Sequence, residues 1–251
     1  MDRYLKIDLK IYLKIKNLLI FGIIATLFII TACTDKKQTI NIAVASNFEG
    51  TLKLIIQKYQ ITHKDAEINI ISASSGILTT QILNSAPFDL FLSADTDKPQ
   101  KIFKQLKLEQ PPQIYAIGKL ALWIPGSSGS NCLTQLADIK TLVIANPKTA
   151  PYGKVAQAIL ATNNIQVEKL IQTSNASQAY IYTKDGLTNA GFVPYSMIAK
   201  DIKSCMQLFD NKDLSQGMIL LKTKAEGFYE FILSSETQAL IQNSGYNITP
   251  M

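Results

Sequence analysis

Four short polar turns carry the chemistry of this chain: Ser46-Asn47, Ser74-Ser75-Gly76, Ala150-Pro151-Tyr152-Gly153 and Asn175-Ala176-Ser177. Each lies between an apolar run patterned as a strand and the start of a helical pattern. Helix starts present unpartnered backbone N–H groups and a partial positive charge, so several aimed at one cleft bind an anion without lysine or arginine. Serine hydroxyls and asparagine amides add neutral donors. Taken singly, serine and asparagine are also the ordinary helix N-caps. The functional reading rests on their recurrence in both halves of the chain, because open α/β sheets bind ligands at the carboxyl ends of their strands.

Other chemistries find less support. His63 is the only histidine and follows the polar end of a predicted helix, and no Gly-x-Ser-x-Gly elbow is present, so a hydrolase would lack a nucleophile and base. Asp89 and Asp95 flank a predicted strand, where capping and lobe packing account for them better than acid–base work. A receptor for amino acids or peptides would place an arginine and a carboxylate among the turns, which hold neither. Glu49 is the nearest carboxylate and is expected to point along the first helix. No Cys or His grouping has metal-ligand spacing. Neither enzymatic activity nor a cofactor is expected.

The elements that must position these turns alternate along the chain as in an α/β fold with largely parallel sheets. Strands are predicted at 40–45, 67–73, 89–94, 141–145, 169–172 and 191–193. Between them run helices, the first with Leu52, Ile55, Ile56 and Tyr59 on one face. The extended segment 114–124 contains the crossover between two lobes, 126–131 is a loop, and the chain returns through 218–221. A final helix over 226–242, with Phe228, Phe231, Ile232 and Leu240 as its apolar face, is expected to pack back on the first lobe. No internal sequence repeat of fixed period is visible.

Ahead of the first strand, Arg3, Lys6, Lys10, Lys14 and Lys16 precede an apolar stretch that ends in Ile30-Thr31-Ala32-Cys33. A basic start, an apolar run shorter than the ~20 residues of a spanning helix, and a small residue before a thiol read as a lipoprotein export signal. Residues 1–32 would be removed, Cys33 acylated, and 33–38 left as a tether. The formal charge is +6, and residues 1–32 hold a net +3 of it. The remainder has no cluster of Lys and Arg interleaved with aromatics, so nucleic acid is not an expected partner. Cys132 and Cys205 are then the remaining thiols; an oxidising compartment permits a disulfide, and the sequence leaves open whether they meet.

Val44-Ala45-Ser46-Asn47-Phe48, Ser72-Ala73-Ser74-Ser75-Gly76, Ala86-Pro87 with Asp89-Leu90-Phe91-Leu92-Ser93-Ala94-Asp95, Tyr115-Ala116-Ile117-Gly118-Lys119-Leu120 and Ala150-Pro151-Tyr152-Gly153, in that order, resemble the periplasmic molybdate-binding proteins of ABC transporters. The resemblance runs from about Ile40 to the C-terminus. It implies an α/β, type II periplasmic-binding-protein fold, each lobe a mixed, mostly parallel sheet flanked by helices, with 39–115 plus 220–251 as lobe 1 and 116–219 as lobe 2. It also implies that molybdate or tungstate is captured between the lobes and delivered to an ABC transporter permease by a monomer. The protein would be periplasmic or at the cell surface, held to the membrane by a lipid on Cys33. The alternative is a receptor for another tetrahedral oxyanion, sulfate or phosphate.

Carried over by position, Ser46 and Ser75 match hydroxyl ligands of that family, and Asn47 a backbone or amide donor used in one branch. Tyr152 and Ala176 match positions that donate their backbone N–H. The metal would thus be held as its oxyanion through Ser46, Ser75, Tyr152 and Ala176, and Tyr152→Phe is expected to bind almost normally. Another branch adds a tyrosine hydroxyl; alignment puts Pro194 at that point and Tyr195 one residue later, so Tyr195 is either a ligand or a packing residue near the cleft. The Ala-Pro-Tyr-Gly turn favours the branch without that tyrosine.

Overall fold

The computed structural model describes residues 39–129, 131–199, 204–209 and 214–248; Cys33, the export signal and the tether lie outside them. Strand β1 (Thr39–Ala45) leads through a 3-10 turn, Ser46–Phe48, into α1 (Glu49–Thr62), followed by β2 (Glu67–Ala73), α2 (Ser75–Leu83), β3 (Leu90–Leu92), α3 (Asp97–Leu106) and β4 (Gln113–Ile117). The chain then crosses to β5 (Leu120–Ile124), α4 (Cys132–Gln135), β6 (Thr141–Ala145), α5 (Pro151–Thr162), β7 (Lys169–Thr173), α6 (Ala176–Lys184), β8 (Ala190–Pro194), α7 (Tyr195–Ile198) and β9 (Cys205–Phe209). It returns as β10 (Ser215–Leu220) and ends in α8 (Glu226–Leu233) and α9 (Ser235–Asn243).

Among the described residues the strands form two five-stranded sheets, ordered β2-β1-β3-β10-β4 and β7-β6-β8-β5-β9. In the first, β1 runs parallel to β2 and β3 while β10 is antiparallel to β3 and β4. In the second, β6 is parallel to β7 and β8 while β5 is antiparallel to β8 and β9. The two orders are therefore equivalent strand for strand, with β1 and β6 in the same place. Each sheet is mixed, and the parallel part is the part that carries the turns; the strands on either side of the crossings supply the antiparallel part.

Strands β1 and β6, second in each order, are buried along most of their length on both faces. Alternation along β1 sends Ile42 and Val44 into a core with Leu52, Ile55, Phe228 and Ile232 from α1 and α8. Ala43 faces the other way, onto Leu78 and Ile82 of α2 and Ile102 of α3. In the second sheet Leu142 and Ile144 pack with Val155, Ala156 and Leu160 of α5. The face of α1 is the one its spacing indicates.

Several boundaries differ from expectation. β4 extends to Ile117 and the whole of β10 pairs with β3 and β4, so the strands divide as 39–117 plus 215–248 against 120–209. The first crossing is Gly118-Lys119, and the return lies ahead of Ser215. Ser215, Gln216 and Gly217 do not read as a strand, yet Gln216 is buried there because its amide is hydrogen bonded. The single final helix is two. Ser234, with ψ 148°, ends α8 and its hydroxyl caps α9 by accepting from Thr237 N at 3.3 Å. α4 and β9 fall outside the predicted elements and carry Cys132 and Cys205, which form a disulfide with Cα atoms 5.8 Å apart.

Asp89 has a packing role. Fully buried at the start of β3, it accepts from Asn41 N at 2.7 Å and pairs with Lys222 at 3.1 Å and Lys224 at 2.8 Å. Burial raises its pKa, but the Asn41 N–H and the two lysines outweigh that and hold it below its ordinary value. His63 stacks on Tyr59 with ring centroids 3.9 Å apart, at the end of α1.

Candidate functional site

The four turns follow β1, β2, β6 and β7, which occupy equivalent places in the two sheets. Three of them open helices of nine residues or more, α2, α5 and α6. They meet. Ala45, Ala94, Ala150, Tyr152 and Ala176, all next to or within the turn regions, belong to one buried cluster. Direct bonds tie the lobes together: Gly76 N donates to Thr149 O at 2.9 Å, and Ser177 donates to Ser46 twice, N to Oγ at 3.3 Å and Oγ to O at 2.8 Å. Gly76 leaves room for the contact with Thr149, which a Cβ would crowd, and Gly153 lets α5 start against the end of β6, where a Cβ would overlap the carbonyl of Ala145.

The hydrogen bonds already made set the polarity of the site. Ser46 Oγ accepts from Ser177 N, and Ser75 Oγ accepts from Ala94 N at 2.9 Å. Each oxygen thus spends a lone pair on the backbone and keeps its own hydrogen to donate. Tyr152 follows Pro151 at the start of α5, and Ala176 is the first residue of α6; neither N–H finds an acceptor among the described residues. Ser74 Oγ is buried and has no hydrogen-bond partner among the described residues. A buried orphan hydroxyl is costly unless something satisfies it.

The turns themselves are neutral. The four turns contain no Lys, Arg, His, Asp or Glu. Asp95, near the second turn, is bound by the Ser93 hydroxyl at 2.9 Å and forms an ion pair with Lys98. Glu49 turns to Lys53 at 2.6 Å; that bond, opposed by partial burial and aided by Ser72, holds its carboxyl below the usual range. Burial pushes the Tyr115 and Tyr152 phenols well above their ordinary value and Tyr246 to about 12, so all three hydroxyls stay protonated.

Asn47 and Tyr195 line the same groove as Ser46 and Ser177. Of the backbone and amide donors that position allows at Asn47, the amide is turned into the hinge, where Nδ2 reaches Gln216 Oε1 at 3.1 Å, Tyr246 Oη at 3.4 Å and Tyr152 Oη at 3.5 Å. Tyr195 is half-buried at the start of α7, donates its N–H to Lys119 O at 2.9 Å, and lies with its ring 5.5 Å from Lys119 Nζ. It shares a groove of about 1300 Å³ with Ser46 and Ser177; no hydrogen bond joins its hydroxyl to the four turns among the described residues. Ser177, Gln216 and Tyr246 are the participants that sequence reading missed. Ser177 stood inside a recognised turn, one residue beyond the expected donor, while Gln216 had no local signal.

The model of the bacterial extracellular solute-binding protein family matches residues 40–247. The chain belongs to this family. It is a solute-binding protein, a transport receptor and not an enzyme. Among curated relatives of this solute-binding protein, the molybdate-binding protein ModA of Azotobacter vinelandii is 34% identical over 68% of this chain and 71% of the relative. ModA of Rhodobacter capsulatus is 32% identical over 81% of this chain and 86% of the relative. Among solved structures, the periplasmic molybdate-binding protein of Azotobacter vinelandii superposes with a TM-score of 0.75 at 27% identity, covering 84% of this chain and 100% of that one.

Proposed function

We propose that this solute-binding protein captures molybdate or tungstate between its lobes and hands it to the permease of an ABC transporter. The Ser46 and Ser75 hydroxyls and the N–H groups of Tyr152 and Ala176 hold the oxyanion. The observation that carries this reading is the convergence of four neutral turns in which both serine oxygens accept backbone N–H groups and keep their own hydrogens to donate. The orphan Ser74 hydroxyl and the likeness to molybdate-binding relatives support it.

A donor-only site favours an anion that carries its full charge without a proton. Phosphate is partly protonated at neutral pH and would need an acceptor for its hydrogen; the carboxylates nearby, Glu49 and Asp95, are committed to Lys53 and Lys98. Sulfate has the same charge and shape as molybdate but is smaller, and cavity radius separates the two. Calorimetry on residues 38–251, which form one compact unit, is expected to give tight binding of molybdate and tungstate and weak binding of sulfate and phosphate. Equal or tighter sulfate binding overturns the molybdate assignment and leaves an oxyanion receptor.

The receptor works outside the cytoplasm, held to the membrane by a lipid on Cys33. The family's extracellular character and the internal disulfide support that setting.

A further inference from the structure

Tyr152 has two ends, and anion capture by its backbone uses one of them. The other, the phenol, is buried in the hinge, where Oη accepts from Gln216 Nε2 at 3.2 Å and Asn47 Nδ2 at 3.5 Å. Tyr152 belongs to the second lobe, on α5; Gln216 and Asn47 belong to the first, on β10 and after β1. Gln216 is held firmly, its Oε1 accepting from the Tyr115 hydroxyl at 2.9 Å and from Asn47 at 3.1 Å. A second bridge runs alongside, from Ser196 Oγ of the second lobe to Tyr246 Oη at 3.1 Å, and from Tyr246 to Asn47 O at 2.7 Å. Gly118, the first residue of the crossing, leaves room for this network, since a Cβ there would overlap the Tyr152 hydroxyl and crowd Gln216 Nε2.

We propose that the Tyr152 phenol is a positioning group that latches the closed lobes, coupling an anion held on the N–H of that residue to Gln216 and Asn47 across the hinge. The proposal rests on the reading of Tyr152 N–H as an anion donor. A tyrosine is rigid apart from two side-chain torsions, and this ring is packed, so fixing the first turn of α5 fixes the hydroxyl as well. Parting the lobes would strain or break hydrogen bonds between groups buried out of water, which favours the closed state. A ligand that binds the closed state shifts the population toward it, and a latch that lowers the energy of closure slows release. Tyr152→Phe, harmless by position alone, becomes the informative variant.

The test compares Tyr152→Phe, Gln216→Leu and the double variant with the parent and with Ser46→Ala. The separation of spin labels placed one on each lobe reports the ligand-free protein, and stopped-flow fluorescence of Trp123, the single tryptophan, reports molybdate release. Both latch variants are expected to widen the ligand-free separation and to release molybdate roughly five- to tenfold faster, and the double variant to be no worse than either alone. Ser46→Ala is expected to weaken binding, and since it also removes the acceptor of Ser177 N between the lobes, its ligand-free separation is expected to widen as well. Parental separation and release in both latch variants, with Ser46→Ala impaired, overturns the latch and leaves the anion site standing. Should the parent bind no molybdate, the functional reading fails, and the ligand-free separation alone decides: a distribution unchanged by Tyr152→Phe and Gln216→Leu overturns the latch.

Discussion

Ser177 holds Ser46 by two hydrogen bonds across the cleft, one to its hydroxyl oxygen and one to its carbonyl. Because the hydroxyl oxygen accepts from Ser177 N–H, the Ser46 hydrogen remains available to donate to an anion.

Ser46→Ala and Ser75→Ala each remove a donor to a charged ligand, which costs about 1.5–3 kcal/mol, or roughly ten- to a hundredfold in affinity. Titration calorimetry with molybdate measures it. Ser177→Ala keeps the N–H bond to Ser46 Oγ and loses the other, so its cost should be the smallest of the three. Parent-like affinity in both Ser46→Ala and Ser75→Ala, with folding intact, would reduce these serines to helix caps.

The disulfide bridges residues 73 apart in sequence and ties α4 to β9, the edge strand of the second sheet. Replacing Cys132 and Cys205 by alanine removes about 2–4 kcal/mol and lowers the melting midpoint by roughly 5–15 °C. The parent treated with reductant should melt with the alanine pair. Identical melting of oxidised and reduced parent would remove the bridge from the stability account.

Asp89→Asn leaves Lys222 and Lys224 without their carboxylate and is expected to cost about 1–3 kcal/mol in denaturant unfolding. The carboxyl is held below its ordinary pKa in the fold, so the unfolded chain takes up a proton first as pH falls. The stabilisation is whole above the unfolded pKa of ~3.9 and disappears as pH drops through the lower folded value. Acid unfolding of Asp89→Asn should accordingly be less steep than that of the parent.

At the alkaline end the buried phenols reverse the sign. Unfolded tyrosine loses its proton near pH ~10, whereas Tyr246 keeps its own to about 12, and the unfolded state gains by releasing first. Stability should fall as pH rises above ~10. Molybdate affinity should stay flat from neutral to mildly alkaline pH, since the four turns contain no titratable side chain except the raised Tyr152 phenol. A bell-shaped affinity profile in that range would require a titrating group in the cleft.

For Cys33, mass spectrometry of the membrane fraction is expected to find a diacylated N-terminal cysteine in the parent and none in Cys33→Ser. Retention of Met1 in both would make the segment an anchor.

The turns were legible because their signals are local. Serine before a helical period, Ala-Pro-Tyr-Gly with proline at the first helical position, and apolar runs at Ile42 and Val143 each say what they are within a few residues. What stayed hidden was set at a distance. The equivalence of β1 with β6 and of β2 with β7 left no sequence repeat, because hydrogen bonding between strands fixes it and side-chain identity does not. Gln216 looks like surface until Tyr115, Asn47 and Tyr152 surround it. Position marks Asn47 as a backbone or amide donor, and nothing local says that its amide finds acceptors in the hinge from residues as far off as Tyr246. Cys132 and Cys205 lie on α4 and β9, elements of four and five residues that are too short to show a period.

Lys224 Nζ donates to the carbonyl of Thr39 at 2.7 Å, fastening the first residue of β1 to the C-terminal part of the chain. β1 has seven residues and ends just before Ser46, so at ~3.3 Å each the point where the chain enters the fold stands roughly 20 Å from the binding turns. Under the proposed anchor on Cys33, a pull along β1 would act at the end of the sheet where Thr39, Asp89, Lys222 and Lys224 meet, a strand's length away from the binding turns.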